Sequence, residues 1–226
     1  SHALRRCTGR AARGCNGHRC GRKRCHRRAA ALGVQLEGAG YRSQLARLFL
    51  QRSGRPGFLI RAVLAATLSG LWGLYSGFEL CEAAALPGKE EYLDSEKYEI
   101  RVRDWNVPGN IVDIITRINA IRQECPALQT YNNVLFLATD NPNILAYAKM
   151  TEDRSDIVIC VVNLDPFHKH WSMLHIPLDT FGIGHDEQYQ AHDLLLGERY
   201  RWSGPSVYVE LTPPDRMAHI IKVRRW

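Results

Sequence analysis

Residues 144–163 read ILAYAKMTEDRSDIVICVVN and carry the clearest structural pattern in the chain. Two apolar runs, Ile144–Lys149 and Ile157–Asn163, have the length and residue types of β-strands. The same two-residue period continues on both sides, and turn signals such as Asp140–Asn143 and Thr212–Asp215 separate the runs. Short strands at roughly ten-residue spacing are typical of a sandwich or barrel. We therefore predict an antiparallel β-sandwich domain over residues 129–226.

The period predicts eight strands, and no internal repeat relates them to one another. The predicted strands are Val134–Ala138, Ile144–Lys149, Ile157–Asn163, Met173–Leu178, Tyr189–Leu194, Arg199–Trp202, Val207–Leu211 and His219–Val223.

The region before this domain begins with a turn-like segment, Ser53–Gly57. The Ala- and Leu-rich segment Phe58–Leu68 predicts a buried helix that ends at Ser69-Gly70. Leu71–Leu80, LWGLYSGFEL, predicts a short buried strand. A long polar loop, Ala83–Trp105, follows, and loops of that length inside compact domains are usually functional.

A second helix is predicted after this loop. Asn110 suits the N-cap and Asp113 the first helical turn, while Cys125-Pro126 ends the helix. Isoleucines at helical spacing give it one apolar face that packs against another element. They are Ile111, Ile114, Ile115, Ile118 and Ile121.

Residues 1–52 differ from the rest of the chain. They hold thirteen of the 30 Lys and Arg residues and a single acid, Glu37, so the formal charge of +7 arises there. A zinc site is one interpretation, although no C-x2-C pair is present. Its ligands would be Cys15, His18, Cys20, Cys25 and His26. A flexible basic arm that contacts phosphates is a second interpretation, and an out-of-frame reading of GC-rich DNA is the third, which we favour.

Composition excludes collagen-like, coiled-coil and wholly disordered classes, because 45% of the 226 residues are hydrophobic and 23% are charged. The longest apolar stretch, residues 58–75, is interrupted by Arg61 and is too short to span a bilayer. We expect a cytoplasmic protein with no membrane or nucleic-acid partner. Cys81, Cys125 and Cys160 are expected to be small buried hydrophobic residues.

Several long strings resemble the bacterial α-1,4-glucan:maltose-1-phosphate maltosyltransferase family of the α-amylase superfamily, over about Leu48 to Trp226. They are SGRPGFLIRAVLAATLSGLWGLYSGFELCE from Ser53, PGKEEYLDSEKYEIRVRDW from Pro87, NILAYAK from Asn143, VVNLDP from Val161 and HDLLLGERYRWSG from His192. The resemblance implies that residues 53–128 are the end of a catalytic (β/α)8 barrel, comprising its last strand and helices. The expected fold is α/β plus all-β, with about fifty irregular residues at the N-terminus.

The resemblance also implies the chemistry. The family transfers maltosyl units from α-maltose-1-phosphate to the non-reducing end of α-1,4-glucans and releases phosphate, with retention of configuration. One Asp is the nucleophile, one Glu is the acid and base, and a second Asp stabilises the transition state. No metal or organic cofactor is implied, and a homodimer is possible.

Lys97 and Tyr98, within DSEKYE, match the family pair that contacts the donor sugar. No catalytic residue can be named, because the three carboxylates belong upstream of Ser53 and this chain has no Asp before Asp94. We therefore expect the chain to be inactive alone. Glu79 and Glu82, beside the expected barrel mouth, are interpreted as structural.

The β-domain offers further candidate residues. We expect Trp171 and Trp202 to pack in the core or at an interface. The alternative is that they form a surface on which sugars stack. A non-catalytic α-glucan-binding module is accordingly the second hypothesis for function. The histidines are spaced unlike metal ligands and are expected to be exposed or hydrogen-bonded. They are His168, His170, His175, His185 and His192.

Overall fold

The structure is a computed structural model that describes residues 44–84, Leu93 and residues 100–225, with side chains from Phe49 onward. The proposed zinc ligands and basic arm lie outside the described residues, as do Lys97 and Tyr98. The hypotheses about them stay predictions.

Helix α1 spans Gln44–Leu68 and is interrupted at Gly54, whose φ of 56° and ψ of −146° are not helical. The turn-like Ser53–Gly57 segment thus forms a break between two helical segments. A positive φ favours glycine, which lacks a Cβ atom. The helix begins at Gln44, earlier than the predicted start at Phe58. The sequence predicts an irregular conformation for residues 44–52.

The predicted strand Leu71–Leu80 is wrong. Residues 71–80 form bends and turns, and Leu71 is 78% exposed. A strand needs a neighbour to satisfy its backbone N–H and C=O groups, and none of the described strands pairs with this segment. The barrel end that the sequence predicts here stays a prediction.

Helix α2 spans Val112–Glu124, and a short 3-10 helix, Pro126–Gln129, follows it. The N-cap is Ile111, one residue after the predicted Asn110, although Oδ1 of Asn110 accepts a hydrogen bond from the N–H of Val112 at 3.1 Å. The isoleucine face is confirmed: all its members are buried except Ile114, which is partly buried.

Eight strands follow, as predicted. They are β1 Val134–Thr139, β2 Ile144–Met150, β3 Ile157–Asn163, β4 His170–His175, β5 Gln188–Asp193, β6 Arg199–Ser203, β7 Ser206–Leu211 and β8 Ala218–Arg225. The fourth strand begins earlier than predicted and stops at His175. After Pro177, Leu178–Phe181 forms the short helix α3 instead of continuing the strand.

All strand pairs are antiparallel, in the order β6-β5-β8-β3-β2-β1-β4-β7. Strand β4 joins β1 through only two residue pairs, Ala138 with His175 and Thr139 with Leu174. The β4–β7 ribbon can therefore fold across the larger part of the sheet. Strand β7 returns beside β6, so the sheet is nearly closed.

Both faces of the central strands are buried, which is why every residue of β3 is inaccessible. One face, including Ile159 and Val161, packs against Leu174 and Val209 of the β4–β7 ribbon. The other face packs against α1 and α2. A buried hydrogen bond of 2.5 Å between the hydroxyls of Thr67 on α1 and Tyr147 on β2 fixes the helix on the sheet.

Two cations occupy the junction between the helices and the sheet. The Arg122 guanidinium donates to the carbonyls of Ala66, Ser69 and Gly70 at the end of α1. The fully buried Lys149 donates from Nζ to the carbonyl of Thr130 at 2.5 Å. Arg122 therefore lies at the negative end of the α1 dipole, where a cation is favourable.

Within the described ranges, every helix is too short or too polar to cross a membrane.

Candidate functional site

Residues 76–82 form a tight turn and precede, in the sequence, the segment that contains Lys97 and Tyr98. The N–H groups of Leu80 and Glu82 both donate to the carbonyl of Gly77, at 3.2 and 3.0 Å. Gly77 has a φ of 97°, and a Cβ atom there would lie 2.2 Å from Oε2 of Glu82. Only glycine lets the Glu82 side chain lie back over the turn without a clash.

The turn is anchored to both helical regions. The rings of Phe78 and Phe58 on α1 lie 4.9 Å apart between centroids. The amide of Gln51 donates to the carbonyl of Ala83 at 2.8 Å, and the N–H of Ile111 donates to the carbonyl of Glu79 at 2.8 Å. The position of Glu82 is therefore set by the packing of α1 and α2.

Glu82 forms ion pairs with two arginines from the far side of the loop, and we call these three residues the Glu82 clasp. Oε2 of Glu82 lies 3.3 Å from Nε of Arg103 and 3.4 Å from Nη1 of Arg101. The Arg103 side chain is only 4% exposed, so its charge needs a nearby carboxylate. The clasp joins residues on the two sides of segment 85–99.

A small cavity of about 120 Å³ lies against the clasp. Its lining includes Tyr75, Ser76 and the three clasp residues. An aromatic ring, a hydroxyl and guanidinium groups suit contact with a polar ligand group, but this volume is below the ~300 Å³ typical of complete small-molecule sites. The cavity is therefore one part of a site and does not enclose a whole disaccharide.

The two glutamates that border the turn differ in their partners. Glu82 forms ion pairs with both arginines of the clasp, which agrees with its interpretation as a structural residue. Oε2 of Glu79 is buried and accepts no hydrogen bond from the described residues.

Comparison with known proteins shows which proteins this chain is similar to. Residues 136–223 match the family model described as GLGE, C-terminal. An α-1,4-glucan:maltose-1-phosphate maltosyltransferase from Pseudomonas aeruginosa is 52% identical over 177 residues. This chain matches the C-terminal part of the maltosyltransferase family. The maltosyltransferase from Rhodospirillum rubrum is 47% identical over 174 residues, and maltosyltransferase 2 from Streptomyces coelicolor is 44% identical over 182 residues.

These matches cover most of this chain but little of each relative. The alignments include 77–78% of the chain and 25–27% of the three relatives. The chain therefore spans about a quarter of the length of the curated maltosyltransferases that it matches.

Solved structures show the same fold at low identity. The α-amylase from Geobacillus thermoleovorans, complexed with acarbose, aligns with a TM-score of 0.55 and 16% identity, over 76% of this chain and 34% of that one. An Anoxybacillus α-amylase gives a TM-score of 0.56 and 15% identity, over 81% and 35%. The described part of the chain therefore has structural neighbours among α-amylases, while the barrel end stays a prediction.

Histidines of the maltosyltransferase-like β-domain pair with carboxylates, as the sequence suggests for side chains that are not metal ligands. Oδ2 of Asp165 contacts both His168, at 2.9 Å, and His170, at 3.1 Å. Burial raises the pKa of Asp165, but hydrogen bonds from the Phe167 N–H and the two imidazoles outweigh it and lower the pKa to about 2. No cluster with metal-ligand geometry occurs in the described part of the chain.

The remaining candidate histidines are separate from one another. His175 pairs with Asp140 and His185 with Asp179, both near the surface. Burial lowers the pKa of His192, and neighbouring arginines add to this effect.

Sequence reasoning missed a buried pair in this domain. Nδ1 of His219 on β8 lies 2.6 Å from Oδ2 of Asp193 at the end of β5, and both side chains are almost inaccessible. The two residues are 26 positions apart, and only the pairing of β5 with β8 brings them together. No local sequence signal could have found this pair.

The three cysteines outside the N-terminal segment are free thiols. Cys125 and Cys160 are buried as predicted, while Cys81 is partly exposed. Burial raises the pKa of Cys81 and Cys125 to about 11 and that of Cys160 to about 12, so all three stay protonated at neutral pH.

The two candidate tryptophans do not form one surface. Trp202 is partly buried and packs edge-on against Tyr189, 6.2 Å between ring centroids. Trp171 is 57% exposed and stacks instead on Tyr208, which sequence reasoning did not single out.

Proposed function

We propose that this chain supplies the C-terminal part of a retaining maltosyltransferase. That enzyme moves maltosyl units from α-maltose-1-phosphate to the non-reducing end of an α-1,4-glucan and releases phosphate. The supporting observation is the 52% identity with the Pseudomonas aeruginosa maltosyltransferase over 177 residues. Identity at this level supports a shared role for this part of the molecule.

In the proposed reaction, a carboxylate attacks the anomeric carbon, the bond from that carbon to the phosphate oxygen breaks, and phosphate leaves. The 4-hydroxyl of the glucan then attacks the same carbon, gives its proton to a glutamate and displaces the carboxylate. No Asp precedes Asp94 in this chain. We therefore assign the catalytic carboxylates to another part of the longer protein and expect this chain to be inactive alone.

The role proposed for this chain is to hold the donor sugar. Lys97 and Tyr98 lie in the segment whose two sides the Glu82 clasp joins. An ammonium group can donate to sugar hydroxyls, and an aromatic ring can pack on the apolar face of a pyranose. The clasp pairs Glu82, before this segment, with Arg101 and Arg103, after it, which supports a positioning role for Glu82.

A chimaera tests the proposal. Residues 53–226 replace the corresponding C-terminal part of the Pseudomonas aeruginosa enzyme, and phosphate release from α-maltose-1-phosphate is measured with glycogen as acceptor. The chimaera should release phosphate, and the 226-residue chain alone should release none. A folded chimaera without phosphate release would overturn the proposed function, and release by the chain alone would overturn its inactivity.

Two substitutions in the chimaera test the donor site. Lys97→Ala and Tyr98→Ala should each raise KM for α-maltose-1-phosphate at least roughly fivefold, the equivalent of about one hydrogen bond. Arg199→Ala, at an exposed residue of β6, is the matched control and should leave KM unchanged. Equal KM values for all three variants would remove the donor-binding role.

The homodimer and the cytoplasmic location stay predictions from the sequence.

A further inference from the structure

The outer face of the β4–β7 ribbon exposes two aromatic rings. Trp171 on β4 is 57% exposed and Tyr208 on β7 is 53% exposed. The alternate residues, among them Leu174 and Val209, point inward and pack against the central strands. The period of two in these strands therefore directs both rings toward solvent and away from the core.

The two rings form an ordered pair. Their centroids lie 5.9 Å apart and their planes are inclined by 28°, which is a stacked arrangement. The Tyr208 hydroxyl donates to Oε2 of Glu210 at 2.8 Å, and Lys169 Nζ lies 2.8 Å from Oε1 of the same carboxylate. Glu210 is the cross-strand partner of Trp171. The rings and the polar groups beside them are thus fixed before any ligand arrives.

Charged groups beside the rings have partners on the same surface. Lys169 pairs with Glu210 near Trp171, and His175 on the same face of β4 contacts Asp140 at 2.9 Å. A phosphate or an acidic chain would find no excess positive charge in these pairs. A neutral ligand with many hydroxyl groups can instead exchange hydrogen bonds with the carboxylate and the ammonium group.

The size of the patch argues against a second protein molecule as its occupant. Two aromatic side chains bury roughly 300–500 Å², and charged pairs flank them. A stable protein interface needs about 800 Å² from each partner. Two ring faces do suit the apolar faces of successive pyranose units.

We infer that Trp171 and Tyr208, with Glu210 and Lys169 at their side, form a surface site for an α-1,4-glucan chain. The choice of glucan rests on the proposed function, because the names of the matched relatives include α-1,4-glucan. The site would keep a long glucan at the enzyme between transfers. It requires no catalytic carboxylate from outside this chain.

Affinity electrophoresis of the 226-residue chain in gels that contain glycogen tests this site. The unsubstituted chain should be retarded, and Trp171→Ala and Tyr208→Ala should each raise the dissociation constant roughly tenfold. Tyr131→Ala is the matched control, because Tyr131 is 78% exposed but lies outside the ribbon. Circular dichroism checks folding, and Tyr208→Ala carries the test if Trp171→Ala unfolds.

Three outcomes would overturn the inference. They are no retardation of the unsubstituted chain, equal retardation of the Trp171, Tyr208 and Tyr131 variants, and a Trp171 variant that changes sedimentation from dimer to monomer without changing glucan binding. Binding needs no phosphate release. An inactive chimaera therefore speaks only against the proposed function, and absent retardation speaks only against this site.

Discussion

The carboxylate of Glu82 lies 3.3 Å from Nε of Arg103, and this contact joins two residues that are 21 positions apart in the sequence. Arg103 is almost inaccessible, whereas Glu82 is 29% exposed. The ion pair therefore holds Arg103 against a turn that α1 and α2 fix in place.

Glu82→Gln should destabilise the chain by about 1–3 kcal/mol, because the nearly inaccessible Arg103 guanidinium loses one carboxylate partner while solvent still reaches the pair. Urea unfolding followed by circular dichroism measures the loss. Glu198→Gln is the control, since its pair with Arg216 is over one-third exposed on both sides and should cost less than ~1 kcal/mol. Equal losses for the two variants would mean that the clasp has no special role.

Gly77→Ala should cost about 1–3 kcal/mol and loosen the clasp. The new Cβ atom would meet Oε2 of Glu82 at 2.2 Å and would be held at a positive φ. Gly109→Ala separates these two causes, because Gly109 has a φ of 82° but open space around it. Thermal unfolding should show a larger loss for Gly77→Ala, and a larger loss for Gly109→Ala would contradict the steric argument.

Lys149 should make stability depend on pH in the alkaline range. Burial lowers the pKa of its ammonium group to about 8, and the positive charge of Arg122 adds to this effect. Between pH 8 and the unfolded value near 10.5, this amine binds more protons in the unfolded chain than in the folded chain, so the contribution of Lys149 to stability should rise with pH across that window.

Lys149→Met should remove this rise relative to the unsubstituted chain. Lys169→Met should retain it, because the exposed Lys169 has a raised pKa through its hydrogen bond with Glu210. Urea midpoints at several pH values compare the three proteins. If all three showed the same slope, Lys149 would not be the source of the pH dependence.

His219→Ala should cost about 3 kcal/mol, since it leaves the inaccessible Asp193 carboxylate without its imidazole. Asp193→Asn and the double variant complete a cycle, and we expect a coupling energy above ~1 kcal/mol. Independent effects of the two substitutions would show that the 2.6 Å contact adds nothing to stability. Chemical denaturation at constant pH provides all four values.

The periodic parts of the fold could be predicted from the sequence. The eight strands follow from alternation of apolar residues between turn signals, and the α2 face follows from isoleucines at helical spacing. The segment Leu71–Leu80 could not be assigned this way, because an apolar run becomes a strand only where another strand satisfies its backbone groups. The break at Gly54 could not be located within a helix from the sequence either. Local residue types suggest a turn there but do not fix the non-helical φ and ψ of Gly54.

The candidate site also has some features that could be predicted from the sequence and others that could not. A motif-bearing loop and the glutamates beside it are visible in the sequence, whereas the partners of Glu82 are not. Trp171 was visible as a candidate, but its neighbour Tyr208 follows only from the register of β4 with β7.

The sequence by itself determined the family, the strand pattern and the residues that suit sugar chemistry, because these depend on residue type and local spacing. Only the tertiary structure decided which charges meet and which rings lie side by side. Those contacts join positions tens of residues apart, and their distances are set by how α1, α2 and the folded sheet pack together.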